Sequence, residues 1–450
     1  MYFPLTFQVL FLALLAALGW TTNLLLLARA GINVRPILQL AELPTAVYSD
    51  DSSASDSMHQ KVFRLVRAVG CVVAVGWLVC VLLPTPKAQI CATILTYLAI
   101  CCILVMPHKA LCRSVRRQFV GSLVRIINPS LADPVFLSDV VMADILTSCA
   151  RMFADLYLVL CQFSIVFRPW AFNNIDTGDS GISTLATAVR AERERSLCGD
   201  AGIIGVLLVA APYAFRLRQC INEYLNAAPG SSEAKRHLAN AVKYASSFPV
   251  ICLSAAQKKT VVDGIMETKY SDWMLQVVFG MWLAAVTFNS LYSFYWDIAF
   301  DWDLVHTTDG WKIADLIAPV QNSNSVVSAD DPDAFTKPNR NDDKAYELHV
   351  LSPADALAQI ENSPSTKTTS GSCFPPFLRP KLCFSSPLLY YIAMAIDFLL
   401  RVAWTMKLSS HIQIDMLAYG GFWLNAIEIY RRWQWTFLRI EKEAAASSGY

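Results

Sequence analysis

Apolar runs of about 20 residues recur along this chain, and a helix of roughly that length crosses the hydrocarbon core of a bilayer. They fall near residues 4–28, 65–84, 89–106, 137–166, 200–218, 239–257, 272–296, 386–408 and 413–437. Inside lipid every backbone amide needs a partner within the protein, so runs of this kind predict helices. Hydrophobic residues make up 55% of the 450 and charged residues 16%, with a mean hydropathy of +0.40, more apolar surface than a water-soluble globule of this size buries. The predicted fold is all-α, a polytopic membrane bundle of about nine or ten transmembrane helices.

The first run has no charged residue before it and exceeds a signal peptide's apolar core, so it reads as a permanent helix. The 13 cysteines show no paired spacing and read as small buried residues rather than as disulfides or metal ligands. Between residues 108 and 132 stand Lys109, Arg113, Arg116, Arg117 and Arg125 with no acid, which places this stretch on the cytosolic side. Leu111, Val115, Phe119, Leu123 and Ile126 recur among those bases at helical spacing, the pattern of a helix in the membrane interface. If that helix crosses, there are ten spans and both termini are cytosolic. If it lies flat there are nine, and the sequence leaves both open.

The organisation read from this pattern has four parts: membrane helices and the basic interfacial helix over 1–136, a first membrane region over 137–304, a flexible polar loop over 305–385, and two last helices with a tail over 386–450. The loop is rich in Ser, Asp, Asn and Pro and holds too little apolar area to order itself.

Polar residues inside the apolar runs repeat at helical spacing: Asp144, Thr147, Arg151 and Asp155; Asn240, Lys243, Tyr244 and Ser247; Asn289, Ser293, Trp296, Asp297 and Asp301; Asp397, Arg401 and Trp404; Glu428, Arg431, Arg432, Trp435 and Arg439. A charge at the bilayer centre costs about 2.5 kcal/mol or more on insertion scales, so such stripes have a purpose. In the plain reading Asp397 neutralises Arg401 and Glu428 neutralises Arg432, each at i,i+4. In the other, Lys243, Arg401, Arg431 and Arg432 converge on an oxyanion, which the arginine fork suits, while Asp144 and Asp297 orient them. Trp433 and Trp435 read as interface anchors, Trp404 as a gate or stacking partner, and Arg439 with Lys442 as the mark of a cytosolic helix end. The six histidines are isolated and no catalytic, nucleotide-binding or metal motif is present, so the sequence gives no ground for an enzyme, a cofactor, a metal or a nucleic-acid partner.

The chain resembles the EXS family of phosphate exporters. The resemblance rests on Asn23 with Ala30 to Asn33, Pro107 to Lys109, Ala143 to Ser148, Pro212 to Cys220, His237 to Tyr244, Tyr295 to Leu304, Asp397 to Thr405 and Glu428 to Glu441, in family order. It implies a channel-like pore in the last six helices that carries inorganic phosphate, with Asp144, Thr147, Lys243, Tyr244, Asp297, Arg401, Arg431 and Arg432 along the path and Trp404 as gate. Thr147 stands where the exporters often carry Asn, Arg151 adds a charge, and the 305–385 insertion is longer than usual. The chain begins directly at its first helix, without the exporters' cytosolic SPX sensor domain, and so is more similar to the short fungal branch named for defects in ER retention.

That branch implies a multi-pass protein of the Golgi membrane, with ER or plasma membrane as alternatives, that returns lumenal phosphate to the cytosol and supports glycosylation and retention of resident proteins. The partners implied are phosphate and the bilayer, with a homodimer and Golgi glycosyltransferases left open. The alternative is a sorting or scaffold protein that retains Golgi or ER enzymes and transports nothing.

Overall fold

The structure, a computed structural model, describes residues 4–38, 57–106, 111–128, 135–166, 203–266, 272–304, 378–379, 381–403 and 421–447. Helix is the only extended secondary structure among them: α1 (Leu5–Arg29), α2 (Val34–Ile37), α3 (Met58–Leu82), α4 (Pro86–Val105), α5 (Arg113–Ile127), α6 (Leu137–Ser148), α7 (Ala150–Val166), α8 (Ile203–Asn226), α9 (Ser232–Ala245), α10 (Ser247–Met266), α11 (Asp272–Trp296), a π-helical turn (Asp297–Asp301), α12 (Pro387–Arg401) and α13 (Gly421–Ser447). All belong to one compact unit formed by Met1–Asp309 with Phe377–Tyr450. The protein is an all-α membrane bundle; α1, α3, α4, α8 and the stretch Trp273–Asp301 are long and apolar enough to cross a bilayer.

Two of the predicted spans are not continuous. The run 137–166 breaks at Cys149, where the backbone N–H is shared between the carbonyls of Ile145 at 3.2 Å and Leu146 at 3.0 Å. One turn earlier the Thr147 hydroxyl donates to the Asp144 carbonyl at 2.8 Å, a side-chain bond that competes with the helical ladder and bends it. The break rotates α7 relative to α6, so Arg151 is exposed and does not continue the stripe begun by Asp144. The run 239–257 begins earlier, at Ser232, and breaks at Ser246, whose hydroxyl donates to the Lys243 carbonyl at 2.8 Å. Asn289 on α11 secures this second break by donating to the hydroxyls of Ser246 at 2.8 Å and Ser247 at 3.1 Å. A third irregularity, the π turn, ends α11. Its carbonyls are held by α13, where Arg439 donates to Asp301 O at 3.1 Å and Lys442 to Phe300 O at 3.3 Å. These two bases therefore tie the π turn to α13.

Residues 305–377 of the predicted loop lie outside the described residues, but its end, from Leu378, is packed rather than flexible. Leu378 joins Trp302, Leu304, Tyr390, Trp435 and Leu438 in one apolar cluster. Arg379 forms a buried ion pair with Glu441, which also accepts from the Cys383 N–H and the Tyr390 hydroxyl, both at 2.8 Å. Elsewhere α3 and α4 approach so closely that a Cβ at Gly76 would lie 2.2 Å from Thr96 Oγ1.

The basic stretch forms α5, whose 15 residues span about 22 Å, short of the ~30 Å core. It lies across helix ends: Arg116 donates to the carbonyls of Ile103 and Met106, each at 2.7 Å, where α4 runs out of amide partners, and Arg125 grips Asp139 on α6 at 2.6 and 2.7 Å. Between α1 and α13, Leu12 packs with Ile429, the position of Gly19 faces the Trp433 side chain, Leu27 shares a cluster with Ile440, and residues 30–33 line one cavity with Ala444, Ala445 and Ser447. The two helices thus run parallel.

Cys161 is disulfide-bonded, against the reading of the cysteines as small buried residues rather than disulfides. The other ten cysteines described form no disulfide. In a cysteine-depleted background, cysteines placed at Ala30 and Ser447 are expected to react with a membrane-impermeant maleimide from the same face of sealed vesicles, and one at Thr85 from the other. Labelling of Ala30 and Ser447 from opposite faces contradicts the parallel arrangement.

Candidate functional site: a buried ion-pair network

The three helix irregularities surround one cluster of charges. On α6, Asp144 is 1% exposed and accepts from Arg216 Nε at 2.9 Å and from the Tyr244 hydroxyl at 2.6 Å. Arg216 lies on α8, its guanidinium 4.7 Å from the Tyr244 ring centroid, and donates also to Gln219 at 2.6 Å. The residue before Tyr244, Lys243, sends its Nζ across to the π turn, 2.9 Å from Asp297 Oδ1 and 3.0 Å from Asp301 Oδ2. The wider π turn presents these two carboxylates, four residues apart, to one ammonium, and π bulges recur at functional sites for such reasons.

Asp297 is fully buried and is the hub. Beyond Lys243 it accepts from Arg401 on α12, lies 3.6 Å from Arg431 Nη1 on α13, and accepts from the Trp435 indole N–H at 3.2 Å. Asp397, also fully buried, takes Arg401 Nε at 3.2 Å and Arg431 Nη1 at 3.3 Å. Arg431 completes its contacts at Glu428, with Nε at 3.0 Å and Nη2 at 2.5 Å. Glu428 accepts in turn from the Ser148 hydroxyl at 2.9 Å. The expected i,i+4 pair between Asp397 and Arg401 is present, whereas Glu428 pairs with Arg431 instead of Arg432.

Arg432 differs from every other base here. It is 6% exposed, and its guanidinium donates only to hydroxyls, Nε to Ser148 at 2.9 Å and Nη2 to Thr147 at 3.2 Å, while its plane lies 4.6 Å from the Trp435 ring centroid. No described carboxylate lies within ion-pair distance of it, and Nη1 has no hydrogen-bond partner among the described residues. The network holds five bases (Arg216, Lys243, Arg401, Arg431, Arg432) against five acids (Asp144, Asp297, Asp301, Asp397, Glu428). It is formally neutral, with the pairing concentrated on Asp297 and withheld from Arg432.

The structure therefore brings Asp144, Thr147, Lys243, Tyr244, Asp297, Arg401, Arg431 and Arg432 into one connected set. Trp404 lies outside the described residues. Asp144 serves Arg216 and Tyr244 rather than the four bases the sequence grouped around it. Trp435, read as an interface anchor, is 1% exposed at the centre. Arg216 and Ser148 were missed as site residues; the signal for Arg216 was a charge amid the apolar run 203–226.

A profile of the EXS family matches residues 3–445. The chain belongs to the EXS family. Among relatives it is 26% identical over 338 residues to Protein ERD1 homolog 1 of Schizosaccharomyces pombe, covering 74% of this chain and 64% of that protein. It is 24% identical over 314 residues to Protein ERD1 of Kluyveromyces lactis, covering 69% and 59%. Over 457 residues it is 22% identical to human Solute carrier family 53 member 1, covering 99% and 50%. The chain thus spans less than two thirds of the length of each. Two of these relatives are named as ERD1 proteins and the third as a solute carrier.

Breaking one buried pair is the direct probe of the network. Arg216→Met strands Asp144 and is expected to cost about 3–5 kcal/mol of stability, while Arg216→Met with Asp144→Asn costs less than the sum of the single changes. Thermal unfolding of the four proteins in detergent measures this, and additive losses contradict the pairing.

Proposed function

We propose that this EXS protein passes inorganic phosphate through the network, from the lumen of the Golgi to the cytosol, and so supports glycosylation and the retention of resident proteins. The observation that carries the reading is Arg432: a buried cation held by neutral hydroxyls, with its charge uncommitted to any described carboxylate. Phosphate carries roughly one to two negative charges near neutrality, by analogy with phosphoryl groups. Arg432 supplies the first donor, the flanking Thr147 and Ser148 hydroxyls hold it in place, and the arginines that Asp297 and Asp397 share lie next along the path.

Those carboxylates give the path its second property. Arg401 and Arg431 are never bare, so an arriving anion exchanges with carboxylates already in place and leaves as readily as it came, the balance that conduction requires. Lys243 reaches the same hub from α9, and its neighbour Tyr244 donates to Asp144. Trp404, three residues beyond Arg401, acts as gate in this reading. Breaks in helices at Cys149 and Ser246 and the π turn are the sort of discontinuity that transporters place beside their substrates.

One observation favours a second reading. Nine of the ten charges named above are paired, as internal struts of a non-transporting sorting protein for Golgi or ER enzymes would be. Flux separates the two. In proteoliposomes, Arg432→Gln is expected to lower radiolabelled phosphate flux roughly a hundredfold, the equivalent of one or two charged hydrogen bonds, with an unchanged melting temperature because its partners are neutral. Equal flux in wild type and variant, or no flux in wild type, favours the strut reading.

A further inference from the structure

One tyrosine beside the network takes no part in its bonding. Tyr213 stands on α8 one turn before Arg216 and two turns before Cys220, at i,i+3 and i,i+7, and so on the face that α8 turns toward the charges. Its ring packs against the cluster of Cys220, Ala241 and Tyr244, and the charged groups around its hydroxyl are Glu428, Arg432, Arg431 and Arg401, from α13 and α12. None of them bonds it. The Tyr213 hydroxyl has no hydrogen-bond partner among the described residues, and its oxygen, unlike Arg432 Nη1, is not sealed from a water-sized probe.

Glu428 shows where that opening lies. Arg431 and Ser148 hold its carboxylate, yet 38% of its side chain is accessible, against 4% for Arg431. Room inside this part of the bundle is therefore found beside Glu428 and Tyr213, in front of the arginines and not behind them. A tyrosine drawn into a protein interior ordinarily finds a partner for its hydroxyl. Packing against Cys220, Ala241 and Tyr244 asks only for a ring, which phenylalanine would supply, so the hydroxyl has no structural duty.

We infer that Tyr213 is a substrate-contacting residue of this site, its hydroxyl donating to an oxygen of the anion that Arg432 attracts, across the space between α8 and the guanidinium groups of α12 and α13. The inference rests on the phosphate reading and adds a residue to it. A tetrahedral oxyanion turns some of its oxygens away from any one arginine, and a donor on the opposite wall reaches them. Because a phenol is uncharged, it adds a bond without adding a counter-charge that would hold the anion too tightly to leave. Beside Glu428, which repels an anion, such a donor makes the approach to the arginines less costly.

Tyr213→Phe removes the hydroxyl and keeps the ring. In detergent without phosphate, the variant is expected to melt no lower than wild type, since the hydroxyl bonds nothing in the protein. Titration with radiolabelled phosphate is expected to show about tenfold weaker binding, the low end for a hydrogen bond to a charged group, and a given phosphate concentration then raises the variant's melting temperature less. Saturable binding of equal affinity in the two proteins overturns the assignment and leaves the phosphate reading standing. A variant that melts below wild type without phosphate places the hydroxyl in the framework and overturns it as well. No saturable binding by wild type fails the phosphate reading itself, and this inference with it.

Discussion

Charge inside a low-dielectric bundle is tolerated only where it is compensated, and that constraint organises this protein. Asp297 is the group on which compensation turns. It has no exposure to solvent and answers to Lys243, Arg401 and Arg431 from three helices. To place a carboxylate there α11 winds into a π turn, to bring Lys243 opposite it α9 ends at Ser246, and to hold the turn α13 spends Arg439 and Lys442 on its carbonyls. Each departure from regular helix is tied to a member of the network. A bundle built for stability alone would fill these positions with apolar residues, since buried ion pairs seldom outperform them.

The same accounting explains why Arg432 stands out. Equal numbers of acids and bases could have been distributed pair by pair, yet Asp297 is shared by several bases while Arg432 has hydroxyl partners only. Such a distribution keeps the site neutral overall and leaves a local excess of positive charge at one end, where Trp435 screens one face of the guanidinium and Thr147 and Ser148 fix its edge. Polar neighbours without charge orient an arginine without neutralising it.

Much of this was legible in the sequence, and the failures have physical causes. Apolar length gave the all-α class, and a charge inside an apolar run is so costly that Asp144, Lys243, Asp297, Arg401, Arg431 and Arg432 were conspicuous. The bends at Cys149 and Ser246 were not, because Thr and Ser hydroxyls that bond backward to carbonyls look, in a sequence, like ordinary helix residues. For that reason Arg151 was placed on a face it does not share. Tryptophan near a helix end is most often an interface anchor, and nothing local separates that case from Trp435, whose indole reaches Asp297 138 residues away in sequence. The direction of α13 relative to α1 is a long-range property that no window along the chain contains.

The claim at the centre is that Arg432 carries charge available to an anion, and equilibrium binding tests it without the complications of flux. Radiolabelled phosphate is titrated onto purified protein in detergent, wild type beside Arg432→Gln, with the melting temperature of each recorded. Saturable binding in the wild type that is at least about tenfold weaker in the variant, at equal melting temperature, is the predicted result. Equal affinity in the two proteins contradicts the account, because it would leave Arg432 as one more strut in a neutral framework.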